Sequence, residues 1–207
     1  MTLHTWLLFA GTVFLLSGTP GPNMLHVMRR SIALGARRSV ATMAGCLTAL
    51  VLVLTASAAG AGAVLTASPR LFTVLRYAGA AYLLYLGVKA WRAPVADTGE
   101  PQPVVVAGSS WRLYRGGLVI GLSNPKLLLF AAAFLPQFVD RQGATAPQFS
   151  ILIATFAAIE TSWMTVYALG GQSMARFLAK PTRQRSLNRL TGGIFTGFGV
   201  VLVAGKA

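Results

Sequence analysis

Glu160 and Lys126 are ionisable residues set in stretches that carry no other charge. Glu160 follows the uncharged run 151–159 and precedes Thr161, Trp163 and Val166; Lys126 has no charged neighbour in sequence nearer than Arg115 and Asp140. A lysine held at depth in hydrocarbon costs upward of about 2.5 kcal/mol unless it finds a partner or water. An ammonium in such a place can attract a carboxylate. A carboxyl can hold an ammonium or take up and release a proton, as a proton-coupled antiporter requires. The plainer alternatives are a Lys126 side chain that snorkels to a surface and, for Glu160, a purely structural salt bridge with Lys126.

Two short motifs accompany these charges. Thr19-Pro20-Gly21-Pro22-Asn23 cannot be continuous helix, because each proline removes an amide donor and disfavours helical geometry in the residue before it. Asn124-Pro125-Lys126 is a second break of the same kind. Unpaired backbone groups in a bilayer persist only where protein buries them or where they line a wet cavity. Freed carbonyls and amides, with the side chains of Asn23, Asn124 and Lys126, would suit a polar substrate; a structural kink is the alternative use.

The surrounding elements must place these residues inside a membrane. Hydrophobic residues make up 55% of the 207-residue chain and charged residues 11%, and neither 1–28 nor 39–69 contains Asp, Glu, Lys or Arg. A bilayer core takes roughly 20 helical residues, so such runs can span it. Six segments emerge, near 3–27, 40–66, 70–91, 115–138, 147–172 and 188–206. None alternates with period two, which disfavours a β-barrel. Arg29 and Arg30 follow the first apolar run instead of preceding it, which is not the order of a cleavable signal peptide.

The net charge of +14 would suggest nucleic acid in a soluble domain. Here the bases sit in short turns between apolar runs, with no aromatic interleaving on a polar domain, so they report orientation and contact with anionic lipid. If all six segments span, thirteen of the eighteen bases share one face. The positive-inside rule puts that face in the cytoplasm of a bacterial inner-membrane protein and both termini in the periplasm. If the proline-broken first segment only dips in, five spans remain. His4, His26 and the single cysteine, Cys46, form no ligand cluster, so neither a metal nor another cofactor is expected, and no phosphate loop or nucleophile–base pair points to an enzyme.

The two halves resemble each other. The break at Ser17-Gly18-Thr19-Pro20 matches Leu122-Ser123-Asn124-Pro125, and Arg76, Gly79, Tyr82 and Tyr85 match Arg189, Gly192, Phe195 and Phe198. A repeat of three spans must be inverted, which is the plan of many secondary transporters. We therefore expect an all-α membrane protein of about six spans in two inverted three-helix repeats with broken helices 1 and 4. Residues 1–92 form the first repeat, 93–114 a cytoplasmic linker and 115–207 the second. Gly117 with Gly121 and Gly193 with Gly197 have the spacing of close helix packing and would permit a homodimer. Trp6, Trp91 and Trp111 fall near the expected membrane interfaces.

TPGPN at the first break, YAGAAYLLYLGVKAW at 77–91 and GLSNPKLLLFAAAFLPQF at 121–138 resemble the LysE-type exporter family, particularly its homoserine/threonine-resistance branch. The resemblance covers nearly the whole chain. It implies export of amino acids or close derivatives from the cytoplasm, driven by the proton-motive force. It also implies substrate contacts at Pro20, Gly21, Pro22, Asn23, Asn124, Pro125 and Lys126, with Thr19 beside them. The family's acid in the fifth helix is more often aspartate; this chain has Glu160, one methylene longer.

Overall fold

A computed structural model describes residues 1–67, 69–93, 108–140 and 142–204, the side chains of 61–72, 75, 76, 133, 201 and 202 excepted. The described residues form helices and no strand. In chain order these are α1 (Leu3–Gly18), α2 (Pro22–Leu34), α3 (Ala36–Ala67), α4 (Pro69–Trp91), α5 (Ser110–Leu122), α6 (Pro125–Leu129), α7 (Thr145–Ala179) and α8 (Pro181–Ala204). Between α6 and α7 the chain is wound first as a π-helix, Phe130–Phe134, and then as a 3-10 helix, Leu135–Phe138.

Local chemistry sets the boundaries. Thr2 caps α1 by accepting from the amide of Thr5, Ser109 caps α5 through the amide of Arg112, and Asn124 caps α6 through the amide of Lys126. Each satisfies a donor that the first helical turn leaves open. Helices α2, α4, α6 and α8 all begin at a proline, where the missing amide costs nothing and the fixed φ suits the first turn. Gly35, at φ 85°, ends α2.

Both sequence-predicted breaks are present, at Thr19–Gly21 and at Ser123–Asn124. The helical prolines that follow them are Pro22 and Pro125, which moves the match between the breaks from the Pro20–Pro125 pair to the Pro22–Pro125 pair. Helix α1, at 16 residues, is about 24 Å long and does not cross a bilayer core by itself. Segment one is a broken pair, α1 with α2. Segment four starts earlier than its apolar run, since α5 begins at Ser110 inside the expected linker. The rest of that linker, 94–107, lies outside the described residues, as do Arg141, Lys206 and the side chains of Arg70 and Arg76 from the sparsely basic face. Helices α3 and α7 are each long and apolar enough to cross a membrane. Helix α7 runs past the expected end of segment five and bends at Gly171, whose φ of 33° and ψ of −113° are not helical.

Packing crosses between the halves. The most extensive contacts are α3 with α5 and α4 with α8, while α7 lies against α2 and α1. Glycines let the backbones meet. A Cβ on Gly45 would strike the Tyr114 carbonyl of α5, and one on Gly117 the Thr42 carbonyl of α3. Gly87 and Gly192 do the same for α4 and α8. Gly121 likewise abuts Ala49, so the glycine stripe of segment four is occupied within the chain and is not free for a second copy. Gly193 and Gly197, expected to pack, meet nothing within 4 Å among the described residues; Gly192 and Gly199 make the close approach instead.

Two apolar clusters divide the interior. One gathers Phe9, Leu16, Leu50, Leu127, Phe130, Phe134 and Phe156. The other is rich in methionine, with Met24, Met28, Met43 and Met164 beside Cys46 and Tyr167.

Candidate functional site

The two breaks meet. Lys126 leaves the second break and reaches the C-terminal end of α1, where its ammonium donates to the carbonyl oxygen of Leu16, to the Thr19 carbonyl at 3.3 Å and to the Thr19 hydroxyl at 2.9 Å. The end of a helix leaves carbonyls unpaired and carries partial negative charge, so a cation there is favourable. Gly21 backs onto the same side chain; a Cβ at that position would lie 3.6 Å from Lys126 Cδ. A break in one half of the chain is thus tied to a break in the other by one ammonium.

A small cavity opens beside this junction. Its polar wall comprises Asn23, Asn124, Lys126 and Glu160, with the Gly21 backbone; its apolar wall comprises Leu16, Met24, Leu50, Leu127 and Phe156. The volume of about 20 Å³ holds a water molecule and is too small for an amino acid. Thr19, Asn23, Asn124 and Glu160 are buried, as is Ser17, which stands with Asn23 beside the Glu160 carboxyl. Ser17 Oγ and Asn23 Oδ1 make no hydrogen bond of good geometry among the described residues, and the polar group beside them is the Glu160 carboxyl. A buried polar atom left dry and unpaired costs about 1–3 kcal/mol, which favours a polar occupant beside this cluster.

The sequence-predicted residues therefore divide. Gly21, Asn23, Asn124, Lys126 and Glu160 share one cavity lining, and Thr19 holds Lys126. Pro22 and Pro125 are exposed and act by starting α2 and α6. Pro20 is half-buried and sits in the break itself. Lys126 and Glu160 line the same cavity without a direct ion pair: among the described residues the close pair is the N-terminal ammonium with Asp140, at 3.7 Å. No group of three His, Cys, Asp or Glu side chains positioned for a metal occurs among the described residues.

Several contributors escaped sequence reasoning. Tyr167 donates from its hydroxyl to the Gly18 carbonyl at 2.9 Å, and the Trp163 indole donates to the Phe14 carbonyl at 3.0 Å. Together they fix the last turn of α1 against α7. Their signal is helical spacing, since positions 160, 163 and 167 share one face of α7. The apolar wall has no sequence signal beyond hydrophobicity.

Residues 13–206 match the family described as LysE type translocator. The chain is 33% identical over 206 residues to a homoserine/homoserine lactone efflux protein of Salmonella typhimurium, covering 100% of this chain and 99% of the relative. It is 30% identical over 203 residues to a leucine efflux protein of Salmonella choleraesuis, covering 95% and 92%. A Vibrio cholerae relative described as an uncharacterized membrane protein is 31% identical over 209 residues, covering all of both chains. No solved structure matches the chain.

Proposed function

Because the chain belongs to the LysE type translocator family, we propose that it exports an amino acid, or a close derivative, with an uncharged side chain from the bacterial cytoplasm in exchange for protons. The observation that carries this reading is one ammonium and one carboxyl, Lys126 and Glu160, in the lining of a single cavity where two helix breaks meet. A zwitterion presents the complementary pair. Its carboxylate is matched to Lys126 and the Asn124 amide, its ammonium to Glu160 and Asn23. Leu16, Met24, Leu50, Leu127 and Phe156 offer an apolar wall to the side chain, and the described lining carries no second acid for a cationic one.

Lys126 is already engaged by α1 in the cavity lining. A substrate carboxylate would compete with the α1 carbonyls for that ammonium, and so loosen the tie between the two halves when the site fills. Glu160 supplies the coupling. A carboxylate attracts the substrate ammonium and a carboxylic acid does not, so proton and substrate compete for one group. Protonation from outside releases the cargo; deprotonation inside readies the site again.

The architecture proposed for this cycle is two inverted repeats, 1–92 and 115–207, rocking about the site, with the segments α1–α2, α3, α4, α5 to Phe138, α7 and α8 as six spans. The exchanged packing supports it, because the second segment of each half lies on the first segment of the other, α3 on α5 and α7 on α2. Proline starts at matching places, α2 with α6 and α4 with α8, support it too. The arginine-rich α2–α3 and α7–α8 turns would lie in the cytoplasm against anionic lipid, with the termini in the periplasm.

The test is efflux of preloaded radiolabelled amino acids from proteoliposomes with and without an inward proton gradient. Gradient-dependent efflux of one or a few neutral amino acids is expected, and Glu160→Gln is expected to abolish the gradient dependence. Absence of efflux for every amino acid, from protein shown to be folded, would move the assignment to another small zwitterion or metabolite, or to a membrane scaffold subunit that does not transport. Normal gradient-driven export by Glu160→Gln would remove the proton role.

A further inference from the structure

We propose that the phenylalanines stacked on the Phe130–Phe138 stretch form the gate that closes the cavity toward the face bearing the N-terminus, and that opening rewinds this stretch. Phe156 lines the cavity and meets Phe130 edge-on, with ring centres 4.8 Å apart. Phe130 continues to Phe134 at 4.6 Å, and Phe134 to Phe138 at 4.7 Å. Phe9 of α1 closes one side, 5.1 Å from Phe138, and Phe198 of α8 the other, 4.2 Å from Phe134. Beyond Phe138 the chain reaches Asp140, which pairs with the N-terminal ammonium. The rings thus stand in file from the cavity wall to that surface, and they draw on α1, α7 and α8.

The winding of the stretch supplies the moving part. π turns are rare and cluster at functional sites, and each holds one more residue than an α turn. Rewinding Phe130–Phe134 as α-helix would rotate everything after it by about 100°, one residue's step, and carry Phe134 and Phe138 off their partners. The Ala131 carbonyl within the π turn accepts from the Ser57 hydroxyl of α3, which steadies the closed form. Below the cavity no such stack exists among the described residues; the cluster there is built on Met24, Met28, Met43 and Met164.

The gate rests on the export reading for its purpose, whereas the seal itself can be measured without transport. Leu50, in the cavity wall, becomes the reporter as Leu50→Cys in a Cys46→Ala background, and a charged, membrane-impermeant methanethiosulfonate is added to one face of oriented proteoliposomes at a time. Phe130→Ala with Phe134→Ala is expected to speed labelling from the N-terminal face at least about tenfold, by raising the open population. Leucine at both positions is expected to stay slow. An unchanged rate, or an equal rise from both faces, would overturn the gate. A second arm does not depend on the alanine variant folding: Phe9→Cys with Phe138→Cys, in the Cys46→Ala background, is bridged by a dithiol-reactive cross-linker. Amino-acid efflux is expected to stop on cross-linking; efflux at the parent rate would overturn the gate. Faster labelling in a chain that exports no amino acid would keep the gate and refute the export reading.

Discussion

Gly45→Ala is expected to part α3 from α5 and to lower the melting temperature by several degrees. A Cβ at position 45 would press on the Tyr114 carbonyl oxygen, and would lie 2.8 Å from Leu118 N and 3.0 Å from Tyr114 C. All three are backbone atoms of α5, so no side chain can turn aside. Ordinary contact begins near 3.4 Å, so the Leu118 N contact alone demands a separation of about 0.6 Å and the nearer Tyr114 oxygen demands more. A gap of about 0.5–1 Å forfeits a quarter to a half of each contact's attraction, and overpacking of this kind costs about 1–3 kcal/mol. For a chain of this length each kcal/mol is worth about 2–4 °C, so the fall is on the order of 2–12 °C. Gly11→Ala is the control, because a Cβ there meets nothing within 4 Å. The assay is thermal unfolding in detergent with a maleimide dye. Cys46 is the one thiol in the chain, buried in the same seam with its sulfur donating to the Gly117 carbonyl at 3.5 Å. If Gly45→Ala melts at or above the parent while Gly11→Ala does not differ, the close-approach reasoning fails.

Two further substitutions probe the breaks and the bend. Lys126→Met is expected to abolish export and to destabilise the fold by about 1–3 kcal/mol, since it leaves the Thr19 carbonyl without its donor, while the Leu16 carbonyl keeps the Thr19 amide and hydroxyl; an unchanged melting temperature with normal efflux would refute both roles. Gly171→Ala is expected to cost about 1–2 kcal/mol through backbone strain at φ 33°. A Cβ there would make only an ordinary 3.8 Å contact with Ile32, so a melting temperature equal to the parent's would show that α7 can straighten freely.

Proline made the breaks legible in the sequence, because its effect is local: Pro22 and Pro125 start helices wherever they stand. Isolation made Glu160 and Lys126 legible, since a charge in an apolar run must face something polar. What Lys126 faces was not legible. Its partners are the backbone carbonyls of Leu16 and Thr19, and a carbonyl at the end of a helix has no residue type to read. Glycine spacing shows where a close approach is allowed and not with what. Gly117 meets Thr42, whereas Gly193 and Gly197, at the same spacing, meet nothing within 4 Å. The π turn at Phe130–Phe134 carries no marker in FAAAF that separates it from α-helix. Membership of the translocator family was legible from the residues flanking the second break, and the family match confirms it.

The tie from Lys126 to the end of α1 also bears on how the protein is built during synthesis. Leu16 lies 110 residues ahead of the lysine that completes its hydrogen bonds. When α1 and α2 first enter the bilayer, the carbonyls at the break have no ammonium to meet. They keep that deficit while α3 and α4 follow, until α6 inserts. An early half made of residues 1–92 alone would keep the Leu16 carbonyl paired to Thr19 but leave the Thr19 carbonyl without a donor, which favours recruitment of water. Final placement of the first helix therefore waits on the sixth, and a chain cut in the 93–114 stretch would need the second piece in the same membrane before the first could settle.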